Sequence, residues 1–464
     1  MMATPRSRAR TWRRVAALAM ALVLCFHFLP NDNHLRLALR YLAYTSRQQP
    51  FSPHQLLAES VPYPVDLVQD VALIIKSGYG TKDRLPGTLK FVGGDDHDKN
   101  GLRFESILLV ADFATQPGGH YNCCAGLELP VHDVVLQTIH SAPLADTAAR
   151  PRHVENYARL QAALAKNDDK LAQSLSHDFG WQLDAMKASP GFISSLELAY
   201  KTFPDKKWYL LADDDTYLVR PSLRQFLGQF SSTCAHYLGN AVGGWEGRFA
   251  HGGSGVIISQ AAMHLLFKEN PRVVAAAHHM ALTTGMGDSL LSNTLMQIGV
   301  YVEEEHSLLF NGETPATTKI KEDRFCYPIL SFHGLRAPDE TLAVDRVFRQ
   351  MPQRATRWKD IWHLYGGPNL GDSNKIEPLQ EGWDHVGRLD EHTTSVENVD
   401  NEQACLKLCV SKTHSKSCLA WTWEAERRVC HMSPWMIVGD KAEGRTTGLN
   451  LPRVKRMAKA CGDV

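Results

Sequence analysis

At 464 residues the chain is long enough for about three units, each with its own core. Its 50 Lys and Arg balance 50 Asp and Glu, which argues against the broad basic surface of a nucleic-acid binder. The N-terminus departs from that balance: Arg6, Arg8, Arg10, Arg13 and Arg14 precede an acid-free apolar run at 15–29. Such a run reads as a signal peptide or an uncleaved signal anchor. Cys25, Phe26, His27 and Phe28 are bulky and no small-x-small cleavage site follows. The expectation is therefore a cytoplasmic tail at 1–14, a transmembrane signal anchor at 15–30 and a lumenal body, the single-pass type II arrangement. Residues 31–65, with Pro50, Pro53, Pro62 and Pro64 and no sustained period, read as a stem.

Beyond the stem the apolar pattern becomes regular. Val71, Ala72, Leu73, Ile74 and Ile75 form a buried-strand run that ends in a turn beginning with Lys76. A second run at 106–111 ends at Asp112. Residues 145–178 are polar and helical in composition, and 193–203 read as a short amphipathic helix. Trp208, Tyr209, Leu210, Leu211 and Ala212 then make a third strand. After it, Pro221 suits a first helical turn, and Leu223, Phe226, Leu227 and Phe230 keep helical spacing. Apolar strands alternating with helices predict an α/β sheet covered on both faces. In such sheets ligands bind beyond the carboxyl ends of the strands. Lys76 and Asp112 lie at two of those ends.

The third strand ends in three carboxylates, Asp213, Asp214 and Asp215. Adjacent acids at the end of a core strand repel one another and are costly to desolvate. A hard divalent cation compensates. In an extended backbone Asp213 and Asp215 project to one side and Asp214 to the other, so the outer pair can hold Mn²⁺ or Mg²⁺ and leave positions for water and a diphosphate.

Gly252, Gly253, Ser254 and Gly255 precede another apolar strand, and such a turn allows close approach of a ligand or a second chain segment. Asp288 follows Gly287 at the start of a helix carrying Leu291, Leu295 and Ile298 on one face, with Gly299 as its stop. Aspartate there is an N-cap or a working acid. A strand at 328–332 ends in His333, a satisfied polar residue or a metal ligand.

In order and approximate spacing, Asp213 to Val219, Gly252 to Gly255, Gly287 with Asp288, and Ser331 to His333 resemble the fringe-like β1,3-glycosyltransferases, nearest the core-1 β1,3-galactosyltransferase branch. The resemblance covers about residues 66–355. It implies a GT-A-type nucleotide-sugar-binding mixed sheet flanked by helices, within a glycosyltransferase domain at 66–365. It also implies Asp213, Asp215 and His333 as metal ligands and Asp288 as catalytic base. Asp214, Gly252, Gly253, Ser254, Gly255, Lys76 and Asp112 are the candidate donor and acceptor contacts. One departure is Gly287, where the family usually carries a second acid.

After a linker at 366–380 the composition changes. Nine cysteines follow Cys25, and five of them fall in the last sixty residues, as in an oxidising lumen. Cys123 and Cys124 are adjacent and are expected to pair elsewhere than with each other. No Asn-x-Ser/Thr acceptor is present. Cys405, Cys409, Cys418 and Cys430, with Trp421 and Trp423, resemble a PAN/apple module at 381–452, a small disulfide-rich unit. The expected pairs are Cys405–Cys430 and Cys409–Cys418, although four cysteines allow three connectivities. Residues 453–464 read as a basic tail.

The expected function is transfer of a sugar, galactose in β1,3 linkage, from a UDP-sugar to a glycan or glycoprotein acceptor. The expected cofactor is Mn²⁺, with Mg²⁺ as the alternative. The expected setting is a Golgi or ER membrane, with no nucleic-acid partner. The competing readings are a non-catalytic sugar-binding protein that retains the fold, a β1,3-N-acetylglucosaminyl- or glucosyltransferase, and a metal-independent glycoside hydrolase working through two carboxylates.

Overall fold

The computed structural model describes residues 33–46, 51–58, 60–93, 103–115, 119–122, 128–141, 152–178, 180–244, 247–351, 354–367 and 379–462, with Ala17, Met20, Leu29 and Leu370. Apart from Ala17, Met20 and Leu29 the expected anchor lies outside the described residues, as do Cys25, Cys123, Cys124 and most of the expected linker. Among the described residues no helix is long and apolar enough to cross a membrane.

Strands β1 (Val71–Lys76), β2 (Ser106–Ala111), β3 (Val131–Asp133), β4 (Trp208–Asp213), β5 (Tyr217–Leu218), β6 (Tyr237–Gly239), β7 (Val256–Ser259) and β8 (Ser331–Phe332) build the N-terminal unit. With them come helices α1 (Leu85–Gly93), α2 (Gly180–Thr202), α3 (Arg220–Leu227), α4 (Gly287–Gln297) and α5 (Pro338–Arg349). One sheet has the order β3-β2-β1-β4-β7-β6. Its first four strands are parallel, whereas β7 runs against both β4 and β6. The runs on β1 and β4 are continuously apolar because both faces are covered. Leu73, Ile75, Leu210 and Ala212 face a core shared with Leu89 and Phe91 of α1 and Leu223 and Phe226 of α3. Ala72, Ile74, Tyr209 and Leu211 face the other core, with Ile193, Leu196 and Ala199 of α2 and Leu291 and Leu295 of α4. Each such Leu, Ile or Phe contributes about 1.5–3 kcal/mol through burial.

Three elements differ from the sequence expectation. The helix read at 193–203 is the end of α2, which starts at Gly180 and continues through Pro190 and Gly191, two residues that resemble a boundary. The stem at 31–65 packs against the domain through its described segments. It contains a helix at His34–Thr45 and another at Pro53–Leu57 that opens with a capping box between Ser52 and Gln55. Phe51 packs edge-on to Phe230 at 5.3 Å between ring centroids and stacks on His306 at 5.1 Å, and Leu56 is buried. The prolines masked that capping box. Third, the expected basic tail is helix α7 (Leu451–Ala460), capped by Asn450.

The C-terminal module contains β9 (Gln380–Asp384), β10 (Thr394–Val396), α6 (Glu402–Val410), β11 (Ala420–Glu424), β12 (Val429–Ser433) and β13 (Asp440–Leu449), followed by α7. Its antiparallel sheet has the order β9-β13-β11-β12-β10. Cys405–Cys430 and Cys409–Cys418 are bonded as expected and pack around Trp421. A third bridge, Cys326–Cys461, was not anticipated and joins α7 to the N-terminal unit. Cys234 is free and exposed. The module is not separate from the larger unit. Ala420, Met436, Leu449, Val454 and Met457 belong to the same core as β1 and α1. Residues Ile320 and Lys321 pair with Met436 and Trp435, and Arg453 Nη2 meets Glu322 Oε2 at 2.6 Å. Val454, Met457 and Cys461 stand at helical spacing, a signal that the surrounding Lys and Arg residues obscured.

Candidate active site

The acids sit where β4 leaves the sheet. The register sets Lys76 opposite Asp213, and Lys76 Nζ reaches Asp213 Oδ1 at 2.6 Å. The chain then turns: the Thr216 amide donates to the Asp213 carbonyl at 3.1 Å, and Thr216 Oγ1 donates to the Gly253 carbonyl at 2.9 Å. β5 pairs with β8 through Ser331↔Leu218 and Phe332↔Tyr217. This delivers His333, at the end of β8, to the acid cluster. His333 Nε2 lies 3.2 Å from Asp215 Oδ1.

The three acids are not equivalent. Asp213, Asp215 and His333 each offer one ligand atom, all within 4.8 Å of one another, and two carboxylates with an imidazole form a donor set suited to Mn²⁺. Asp214 points away, as strand alternation requires, and is buried. It accepts from Ser77 Oγ at 2.6 Å and from Arg84 Nη1 at 3.1 Å. Arg84 Nη1 also donates to Asp215 Oδ2 at 3.1 Å. Two cations, Lys76 and Arg84, therefore already balance the charge that a metal would neutralise. Burial pushes the Asp214 carboxyl up to about 6. Burial acts the same way on Asp213, but the Lys76 ammonium and then His333 outweigh it and hold that carboxyl below its usual range. For His333 burial disfavours the imidazolium, while the hydrogen bond and charge of Asp215 prevail and raise its pKa.

The glycine turn spans the other side. Gly252–Ser254 form one tight helical turn, and Gly255 follows at φ +88°, a conformation that suits only glycine well. The Gly252 amide donates to Asp288 Oδ2 at 3.3 Å, and a Cβ there would meet Phe192 Cζ at 2.6 Å. A Cβ on Gly253 would overlap the His333 ring. Ser254 is fully buried. Its hydroxyl accepts from Asn240 Nδ2 at 3.1 Å and lies 2.9 Å from His251 Nδ1. The N-cap of α4 is Met286, not Asp288. Asp288 stands second in that helix and takes the Ser289 amide on Oδ1 at 2.9 Å, which leaves Oδ2 turned toward the glycine turn.

Of the expected residues, the structure brings together Asp213, Asp215, His333, Lys76, Gly252, Gly253 and Asp288. It places three others inside the framework. Asp214 and Ser254 are buried, and so is Asp112, whose Oδ1 accepts from the Tyr79 amide at 2.8 Å and orders the turn after β1. Sequence reasoning missed Ser77, Arg84, Thr216 and His251. Ser77, Thr216 and His251 adjoin motif residues, which is the signal that marks them, whereas Arg84 has no local signature. His251 packs edge-on to His333 at 5.5 Å between ring centroids.

The mixed α/β sheet thus carries an acid cluster beyond one strand, facing a second acid across a glycine turn. Residues 167–350 match the Fringe-like family, and residues 385–445 match the PAN domain. The chain thus carries a glycosyltransferase domain of the Fringe-like kind followed by a PAN domain, and such a domain takes a nucleotide-sugar donor and a glycan acceptor. No curated protein matches the chain.

Proposed function

We propose that the protein is a metal-dependent, inverting glycosyltransferase that moves a hexose, galactose in β1,3 linkage, from a UDP-sugar to a glycan or glycoprotein. The observation that carries this reading is the pairing of two chemistries across consecutive glycines: the Asp213, Asp215 and His333 donor set beside Gly253, and Asp288 on the Gly252 amide. A divalent cation held by those three side chains supplies charge neutralisation for the departing diphosphate. Lys76 and Arg84 hold the acids close together before the donor arrives. Asp288, with one oxygen fixed by Ser289, removes the proton from the acceptor hydroxyl on the face opposite the leaving group. A single in-line displacement inverts the anomeric centre. The three disulfides support an oxidising compartment, and we assign the protein to the Golgi or ER lumen behind a type II anchor.

The test is a donor screen with UDP-galactose, UDP-N-acetylglucosamine and UDP-glucose, with Mn²⁺ or with EDTA. Mn²⁺-dependent transfer that EDTA abolishes is the expected result. EDTA-resistant activity would favour a glycoside hydrolase, and binding of sugar without turnover would favour the non-catalytic reading.

A further inference from the structure

A cavity of about 320 Å³ opens beside the acid cluster, at the lower end of the roughly 300–1,000 Å³ typical of ligand pockets. Its lining includes His251, Glu313, Lys319, Lys321, Arg324 and Trp358. Two contacts tie it to the active site. His251 packs edge-on to His333, and the Gly312 carbonyl, also in the lining, lies 3.4 Å from His333 Nδ1. His251 also lies 2.9 Å from Ser254 Oγ in the glycine turn whose Gly252 amide holds Asp288, so on the proposed reading a group bound here would belong to the molecule whose hydroxyl is glycosylated.

Three cations face one acid in this lining. Glu313 Oε2 is occupied by the Lys319 amide at 3.0 Å, and burial raises its pKa, so its charge is weakened. Lys319 Nζ is held by Asp390 at 2.7 Å, and Arg324 by Asp323 at 2.9 Å; neither of these acids is part of the lining. Lys321 has no ion pair or hydrogen bond from its side chain among the described residues. Its ammonium lies over the Trp435 ring at 5.7 Å, with Lys319 over the same ring at 4.0 Å. Trp435 is fully buried and belongs to the PAN domain. Burial and the nearby Arg324 guanidinium lower the Lys321 pKa, a cost that a bound anion would relieve. Trp358 is buried beneath Arg324, whose guanidinium lies 5.2 Å from its ring centroid, and so forms the floor under that cation.

We propose that this cavity receives an acidic group, a sulfate or a carboxylate, on the sugar acceptor, with Lys321 as the cation that pairs with it and the PAN domain as the support that positions Lys321. The assignment to an acceptor rests on the glycosyltransferase reading; the anion site itself does not.

The experiment is equilibrium binding of the full chain, with Mn²⁺ and UDP, to three versions of one oligosaccharide: sulfated, uronate-bearing and neutral. At least one acidic version should bind about tenfold or more tightly than the neutral one, and the tighter arm identifies the anion. Lys321→Gln should bring that ratio to within about threefold of unity, Lys321→Arg should keep most of it, and both should melt with the wild type. Equal binding of all three sugars, or an unchanged ratio in Lys321→Gln, overturns the proposal. Selective binding without transfer in the donor screen would retire the enzymatic reading and leave the anion site standing.

Discussion

Gly253 and His333 are in contact across the active site, so closely that any side chain on the glycine would occupy the space of the imidazole. Thr216 fixes Gly253 through its carbonyl and leaves it little freedom to retreat, so a bulkier residue must displace His333. Gly253→Ala is expected to weaken Mn²⁺ binding by about 10–100-fold, the range seen when a ligand's support is lost. A Mn²⁺ titration of the purified variant checks this; unchanged affinity would place His333 outside the donor set.

Asp215 has two partners, His333 and Arg84. Asp215→Ala should abolish Mn²⁺-dependent transfer, because the metal loses a ligand and His333 loses the group that orients it. Asp214 remains as a partner for Arg84, so the fold should survive. Transfer assays alongside circular dichroism separate the two effects.

Asp288→Asn keeps an oxygen for the Ser289 amide but cannot act as a base at neutral pH. Because Met286 occupies the cap position, helix α4 should form as before. The expected loss in turnover is about 10²-fold or more, with the melting temperature nearly unchanged. Near-normal turnover would leave Asp288 with only its helix-end role.

Removing everything after Tyr365 should prevent stable folding and not simply weaken acceptor use. The cut strips Ala420, Met436, Leu449 and Val454 from the central core and leaves Cys326 without Cys461. The single variant Cys326→Ser should cost about 2–5 kcal/mol, read in a denaturant titration. A soluble, cooperatively folding 1–365 fragment would show that the C-terminal domain is dispensable to the core.

Glu197 provides a test outside the active site. The hydrogen bond from His278 lowers its pKa to about 2 from a usual 4.5. The pair therefore contributes stability that is present above about pH 4.5 and disappears as the pH falls toward 2. Glu197→Gln should flatten the stability curve over that window, measured by melting temperature against pH.

Strands β1, β2 and β4 were legible because each is a continuous apolar run ended by charge, and the acid cluster was legible because three adjacent carboxylates need compensation. His333 was legible as a strand-end residue. What remained hidden depends on distance in the chain. Arg84 lies 131 residues from Asp215, and nothing around it marks a partner so remote. Cys326 and Cys461 are separated by 135 residues, so no spacing rule pairs them. Lys321 has no local signature either, since its setting depends on pairing with Trp435 far along the chain.

The Cys326–Cys461 bridge also imposes an order on biosynthesis. At about 5–20 residues per second, the thiol of Cys326 must wait on the order of ten seconds for its partner, while Cys409 and Cys418, nine residues apart, can close almost as soon as they are made. During that interval Cys326 is available to wrong partners, among them the exposed Cys234. Secretory yield of this protein should therefore depend on a thiol-exchange catalyst, and a Cys234→Ser chain should mature faster than the parent.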